Sequence, residues 1–413
     1  MLNHKFNQLN NRIYLALRAG VSLTFVFLLI EFFDELAYGI DNAVLPVLRQ
    51  DLAISYAQVG LLLGLPIVVS TVIEPFLMLM GDTHLRKHLV VGGGLAVCLS
   101  MFMIAGAGSF WPVMLAMMIA YPASGAFVTL SQATLMDLNP GREAKMMARW
   151  TLSGSLGDLI GPLLLAAGFA LGLGWRWAFT VMAGLALILT LVVWAKHFPP
   201  HSGASEDADG HPDLTALWQG LRQALADPGL MRWVILLQFS DLLLDVYTGY
   251  AALYFADVVG LSAAQTSLVL GLLMAAGIVS DVILIPLLER FPGRSIVRLS
   301  AGTVALLYAA WLLAPGAAAK IILAVLIKLC NLGWYSVLQG EAYAAAPGKS
   351  GTVMAISSVV GILGGALVWL VGWTAGQVGL DTAMWLLLLG PVSLALFVPR
   401  PVKMRPEPHE SAE

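Results

Sequence analysis

Apolar runs of about twenty residues, the length a helix needs to cross a hydrocarbon core, recur along the whole chain. They lie near 20–46, 56–80, 88–107, 111–136, 146–172 and 176–196. After a polar break they resume near 231–255, 263–288, 295–314, 317–345, 351–377 and 382–399. Glycine, proline or charge punctuates each gap. The pattern predicts an all-α integral membrane protein with twelve transmembrane helices. Six lie in an N-terminal bundle, 1–198, and six in a C-terminal bundle, 229–400. Between them a cytoplasmic linker, 199–228, begins in "HFPPHSGASEDADGHP", too polar to bury a core. Its second part puts Leu214, Leu217, Trp218, Leu221 and Leu225 on one face of an amphipathic helix suited to a membrane surface. Residues 401–413 form a cytoplasmic tail.

Composition agrees with this pattern and excludes a soluble domain. The chain is 59% apolar and 11% charged, with a mean hydropathy of +0.83; a soluble surface needs roughly a quarter charged residues. The charges are segregated. With the N-terminus inside, eighteen of the 22 Lys and Arg fall on the cytoplasmic side. Arg49, Arg176 and Lys320 fall opposite, and Lys328 falls within a span. That bias places both termini in the cytoplasm and the protein in the cell membrane. The opening "MLNHKFNQLNNRIYLALRAG" has no cleavage site and reads as a cytoplasmic lead-in. No basic face suggests nucleic acid. Cys98 and Cys330 sit in apolar runs, where packing is their role. His84 and His88 have the spacing of a ligand pair but no third ligand nearby, so neither a metal nor a cofactor is expected.

The two halves are repeats. A gapless shift of 207 residues pairs Glu31 with Gln238, Asp34 with Asp241, Ser55 with Ser262, Gln58 with Gln265 and Gly64 with Gly271. It also pairs Glu74 with Asp281, Gln132 with Gln339, Pro140 with Pro347, Gly154 with Gly361 and Gly157 with Gly364. Polar and turn residues matched across several spans imply a parallel repeat about an axis along the membrane normal, with a central site at the repeat interface.

Twelve spans, a six-plus-six repeat and a central cytoplasmic loop resemble the major facilitator superfamily. Its signature loop between helices 2 and 3, G-x-x-x-D-R-x-G-R-K, is degenerate here. "MLMGDTHLRKH" keeps Asp82, Arg86 and Lys87, with Met78 and Thr83 in place of the glycine and first arginine. The second copy keeps Glu289, Arg290, Gly293 and Arg294. The resemblance makes Asp82, Arg86, Glu289, Arg290 and Arg294 cytoplasmic gate residues that lock the bundles; the positive-inside rule alone explains most of the basic ones. Gly157, Asp158, Gly161 and Pro162 partly match the helix 5 motif of proton-coupled drug exporters, whose outer glycines are missing. The exporters' helix 4 arginine is also missing, and the repeat shift carries its position, Tyr121, onto Lys328. The first two spans look most like the fosmidomycin-resistance-like exporters.

Span 1 carries Glu31, Asp34, Glu35, Tyr38, Asp41 and Asn42. At about 100° per residue they fall at about 0°, −60°, +40°, −20°, −80° and +20°, a single stripe. An ionised carboxylate at mid-membrane costs on the order of 2.5–3.5 kcal/mol by insertion scales, so the stripe must line water, find partners or hold protons. Span 7 repeats the theme with Gln238, Asp241, Asp245 and Thr248. Crowded carboxylates in a poor solvent repel one another and lose hydration, conditions that suit a proton carrier. Asp34 and Glu35 are therefore the expected proton site, with Glu31 and Asp241 as helpers. The expected substrate cavity draws on Tyr38, Asp41, Asn42, Tyr121, Gln132, Gln238, Asp245, Lys328, Asn331, Tyr335 and Gln339, with Tyr247, Tyr250 and Trp334 as further aromatic candidates. Salt bridging by Lys328 and Arg149 is the structural alternative for some of the acids. Glu74 and Asp281 fit interfacial snorkelling or gating.

The function this predicts is proton-coupled efflux of a small amphipathic or cationic organic compound by alternating access, by a monomer in the bilayer. A solute/proton symporter and a cation or metal exporter of the same fold are the alternatives. An enzyme is not expected: there is no H-E-x-x-H, and "Ser153-Gly-Ser155-Leu-Gly157" lacks the first glycine of G-x-S-x-G. There is no G-x-x-x-x-G-K-[ST] loop for nucleotide.

Overall fold

A computed structural model describes residues 22–81, 85–139, 143–196, 198, 226–345 and 350–400. The amphipathic face from Leu214 to Leu225, the lead-in, the tail and Asp82 lie outside these residues. The first half contains α1 (Leu23–Asp51), α2 (Tyr56–Gly81), α3 (Arg86–Ala105), α4 (Phe110–Asp137), α5 (Glu143–Ala170) and α6 (Arg176–Ala195). The second contains α7 (228–258), α8 (Ala263–Arg290), α9 (Gly293–Leu313), α10 (Ala317–Cys330 and Trp334–Ala345), α11 (Ser350–Val378) and α12 (Leu380–Phe397). Ten of these are long and apolar enough to cross a membrane. The other two are α1 and α7, the helices that carry the acids.

Local chemistry explains the helix starts and why polar residues repeat there. Ser55 and Gln58 exchange backbone and side-chain hydrogen bonds at the start of α2, Gln58 N donating to Ser55 Oγ at 3.2 Å. Ser262 and Gln265 form the same capping box at the start of α8. The repeat thus conserves a cap, not a ligand.

Helices α2 and α11 pack along one seam between the halves, and their repeat-mates α8 and α5 along the other. The first seam is backbone on backbone. A Cβ on Gly64 would stand 2.5 Å from the Gly365 carbonyl oxygen, and one on Gly372 2.6 Å from Gly60 Cα. Small residues are what let membrane helices approach this closely. Between the seams α1 faces α7. Tyr38 donates to Asp245 Oδ1 at 3.2 Å, and Gln50 to Asp257 Oδ1 at 3.1 Å. Each of these contacts joins repeat-mates 207 residues apart. Mates can touch only near their symmetry axis, so the pseudo-twofold runs between α1 and α7 past Tyr38.

Two helices that the repeat pairs, α4 and α10, depart from α geometry at equivalent places. α4 contains a π-turn at Gly125–Thr129, and α10 breaks between Cys330 and Trp334, with Gly333 at φ +66°. Shifting the π-turn by the repeat length lands on that break. α7 carries π-turns at Leu242–Val246 and Tyr254–Val258. Such turns expose carbonyls and re-aim side chains, and they recur at functional sites.

Candidate functional site: an acid-lined central cavity

The stripe on α1 divides among three neighbours. Glu31 and Glu35 face α5, where a Cβ on Gly154 would stand 2.7 Å from Glu31 Oε1 and 3.1 Å from Glu35 Cγ. Glu31 is buried, at 8% exposure. Asp34 faces α4 and accepts from Ser124 Oγ at 2.7 Å. Tyr38 and Asn42 face α7: Tyr38 reaches Asp245, and a Cβ on Gly249 would stand 3.0 Å from Asn42 Oδ1. Close packing of α5 on α1 makes this possible. A Cβ on Gly157 would stand 2.2 Å from the Phe32 carbonyl oxygen, and one on Gly161 2.6 Å from that of Leu36. The partial exporter motif is thus a packing surface against the acid-bearing helix.

Two adjoining cavities lie beside this stripe. The larger, about 300 Å³, is inside the first half, between α1, α2, α3 and α4, and its polar walls are Asp34, Tyr38, Asp41, Glu74, Tyr121 and Ser124. The second, about 220 Å³, lies between the halves and takes in Asn42 and Asp245. Tyr38, Asp41 and Tyr121 belong to both. Every charged residue lining either cavity is a carboxylate; neither wall contains Lys or Arg among the described residues. Asp41 Oδ1 is shielded and has no hydrogen-bond partner. Asp245 is open to the cavity.

Positive charge sits just behind the wall. Lys328 on α10 is buried and donates to the Leu244 carbonyl at 2.9 Å and to Thr248 Oγ1 at 3.1 Å, both on α7. Its charge acts on Asp245, Asp158 and Asp281. Arg149, the other expected counter-ion, is exposed. Asp241 lies close enough to Asp245 for their charges to interact.

Several expected cavity residues lie elsewhere. Tyr247 and Tyr250 are fully buried in the second half's core: Tyr247 packs on Tyr308 and Trp311, and Tyr250 donates to the Val368 carbonyl at 3.0 Å. Trp334 is buried with its indole donating to Ser300. Gln132 is half-buried and reaches Met147, Gln238 lies against Gly364 of α11, and Gln339 is half-buried. Tyr335 is 60% exposed. Asn331, at the break in α10, is buried with both amide atoms unpartnered.

The expected gate residues tie each half to itself in this structure. Arg86 pairs with Asp137 at 2.5 Å and donates to the Gly81 carbonyl. Arg294 grips Glu341 through two nitrogens and lies over the Trp233 ring. Glu289 and Arg290 are exposed. The halves are joined instead at the opposite membrane face. There Asp257 of α7 accepts from Arg49 Nε at 3.1 Å, Gln50 Nε2 at 3.1 Å and Tyr56 OH at 2.9 Å. Sequence reasoning missed Asp257. Its signal was that it is the repeat-mate of Gln50, a polar pair at the ends of the two acid-bearing helices.

Comparison with known proteins follows the same lines. The profile of the Major Facilitator Superfamily matches residues 27–369. Human protein spinster homolog 1 is 25% identical over 194 residues, 46% of this chain and 37% of that protein. The rat protein is 23% identical over 198 residues, with the same coverage. The alignment thus spans little more than a third of the length of these relatives. A bacterial homolog of the human lysosomal transporter spinster, solved in an inward-facing, unoccupied conformation, superposes with a TM-score of 0.72. It is 16% identical, over 91% of this chain and 95% of that one. The nucleoside transporter NupG gives a TM-score of 0.67 at 15% identity, over 91% and 98% of the two chains. The likeness of the first two spans to fosmidomycin-resistance-like exporters has no counterpart among these proteins. At these identities the solved structures establish the fold.

Proposed function

The chain belongs to the Major Facilitator Superfamily, and from that premise we propose that it exchanges protons for a small organic cation across the cell membrane, in the direction of export. Its superfamily membership makes it a secondary transporter that works by alternating access. The observation that carries the finer reading is that every charged residue lining the two cavities is a carboxylate. Carboxylates at a desolvated site need a positive partner, and a proton or an organic cation can each supply it. Two ligands that compete for the same groups are carried alternately, which is the logic of antiport. Tyr38 and Tyr121 add aromatic faces that favour a cation with an organic body.

In this reading Asp34 and Glu35 carry the exchanged proton; Glu31 packs with Glu35 against Gly154 of α5, and Asp241 assists from α7, where it lies close to Asp245. Lys328 and Asp158 lie close enough to Asp245 to respond to its charge. With the basic membrane face in the cytoplasm, the Asp257 tie closes the outer side and the cavities serve the inner one. An inward-directed proton gradient then drives the cation out. The substrates and partners are thus an organic cation, protons and the bilayer, and a monomer suffices. Uptake by symport remains the second reading. The half-buried Asp158 and buried Lys328, whose opposite charges interact, favour it by offering a proton site apart from the cavity wall.

The test is proton release from acid-loaded inside-out vesicles on adding quaternary ammonium compounds, which cannot carry protons across by themselves. Export by exchange raises the lumen pH when the cation is added. The Asp34→Asn, Glu35→Gln double variant should lose this response while inserting and folding normally. An unaltered response in that variant overturns the proton-site assignment, and no response from the folded wild type overturns exchange.

A further inference from the structure

We infer that the cavity inside the first half is a separate subsite for the cationic head of the substrate, with Glu74 of α2 as its specificity-determining ligand. This rests on the organic-cation reading above and extends it to a place outside the central passage. Glu74 belongs to the inner cavity and not to the one between the halves. Its carboxylate enters from α2, whereas that of Asp34 enters from α1. Ser70 Oγ donates to Glu74 Oε1 from one helical turn earlier, which fixes the rotamer. A Cβ on Gly125 would stand 3.0 Å from Glu74 Oε1. Asp34 meets the preceding residue, Ser124. The two carboxylates therefore converge on neighbouring positions of α4, at the start of its π-turn.

The remaining wall is chosen for a compact, weakly hydrated cation. Phe33, Val97, Met101 and Val128 supply apolar surface, while Tyr38 and Tyr121 stand where this cavity meets the central one. The unpartnered Asp41 Oδ1 lies at the same junction. A volume of about 300 Å³ exceeds what a bare proton or metal ion needs. Three carboxylates without a wall cation leave a negative charge that only a bound cation or protons can offset. The head of an organic ammonium satisfies both size and charge, and its body then extends past Tyr38 and Tyr121 into the space between the halves. Glu74 thus does more than snorkel at an interface: the helix 2 acid selects the ligand's head.

Tetramethylammonium, a head without a body, isolates this subsite. It should competitively inhibit proton-coupled exchange of benzyltrimethylammonium by the wild type. In Glu74→Gln, which keeps shape and removes charge, its inhibition constant should rise at least about tenfold, with the proton-to-cation ratio unchanged. Gly125→Ala keeps the carboxylate but crowds it, and should weaken tetramethylammonium in the same direction. Wild-type inhibition in both variants, or no inhibition of the wild type at all, overturns the subsite. Exchange of benzyltrimethylammonium in those same vesicles still supports the transport reading, whereas its absence from the wild type overturns that reading first.

Discussion

Lys328 shows how a membrane charge is kept at an acceptable free energy. Its ammonium is out of water, yet two of its donors are taken by the Leu244 carbonyl and Thr248 Oγ1. Three carboxylates offset its charge from α5, α7 and α8. Removing one member of such a set leaves the others uncompensated, which is more damaging than removing a balanced pair. Lys328→Met should therefore lower stability by on the order of 3 kcal/mol, and adding Asp245→Asn should restore at least half of that loss. Thermal unfolding of the four proteins of this cycle in detergent measures the coupling; additive effects would remove the lysine from the network. The three cations on the sparse face are likewise engaged. Arg49 holds Asp257, Arg176 holds Asp51 at 2.6 Å, and Lys320 caps the end of α9 through the Trp311 and Leu312 carbonyls and Tyr254 OH. They break the charge bias because each has structural work on that side.

At the scale of helices, the decisive contact is α5 against α1. Gly157 and Gly161 let the two backbones meet along the acid stripe, so the motif acts by packing. Gly157→Ala would force its methyl into the Phe32 carbonyl. It should cost about 1–3 kcal/mol, the usual range for overpacking, without altering the proton-to-cation ratio. A lowered unfolding midpoint with an unchanged ratio confirms packing, whereas a changed ratio at unchanged stability would make the motif part of coupling. All twelve helices were legible in the sequence because a span needs a fixed length of apolar chain, and the observed ends fall within a few residues of the predicted ones. The repeat was legible as well, since capping pairs such as Ser55 with Gln58 and Ser262 with Gln265 recur in place. Other features were not legible. The break at Asn331–Gly333 carries a local mark, a glycine free to take φ +66° just after an asparagine, but a lone glycine within an apolar run reads equally as close helix packing; the π-turn at Gly125 has no such mark. The stripe's angles gave the face of α1, but not that Glu31, Asp34 and Tyr38 meet three different helices. For the same reason Glu74 looked interfacial: its depth beside Gly125 depends on how α2 lies on α4. Asp137 and Glu341, the partners of Arg86 and Arg294, were hidden because ion pairs across fifty residues leave no spacing signal.

Taken whole, the molecule is two repeats whose axis passes Tyr38 and Asp245, fastened at one membrane face and cleft from within. Alternating access requires that this fastening open. Asp257 supplies the polar half of it, accepting from Arg49, Gln50 and Tyr56 together. The α2–α11 seam supplies the apolar half, and it reaches the same face, where a Cβ on Gly376 would stand 3.7 Å from Ala57 Cβ. That separation lies within the Cβ–Cβ range of a relaxed disulfide, about 3.5–4.5 Å. Cysteines at positions 57 and 376, with Cys98 and Cys330 replaced by alanine, should therefore cross-link under mild oxidation without distorting the fold. If transport requires the two halves to part there, the oxidised protein should still bind tetramethylammonium from the basic face but exchange none, and reduction should restore exchange. Each half keeps its own ion pair, Arg86 with Asp137 and Arg294 with Glu341, and the cross-link touches neither, so it restrains the seam between the halves. Full exchange by completely cross-linked protein would mean that this end of the seam never opens, and would place the moving boundary at the α5–α8 seam instead.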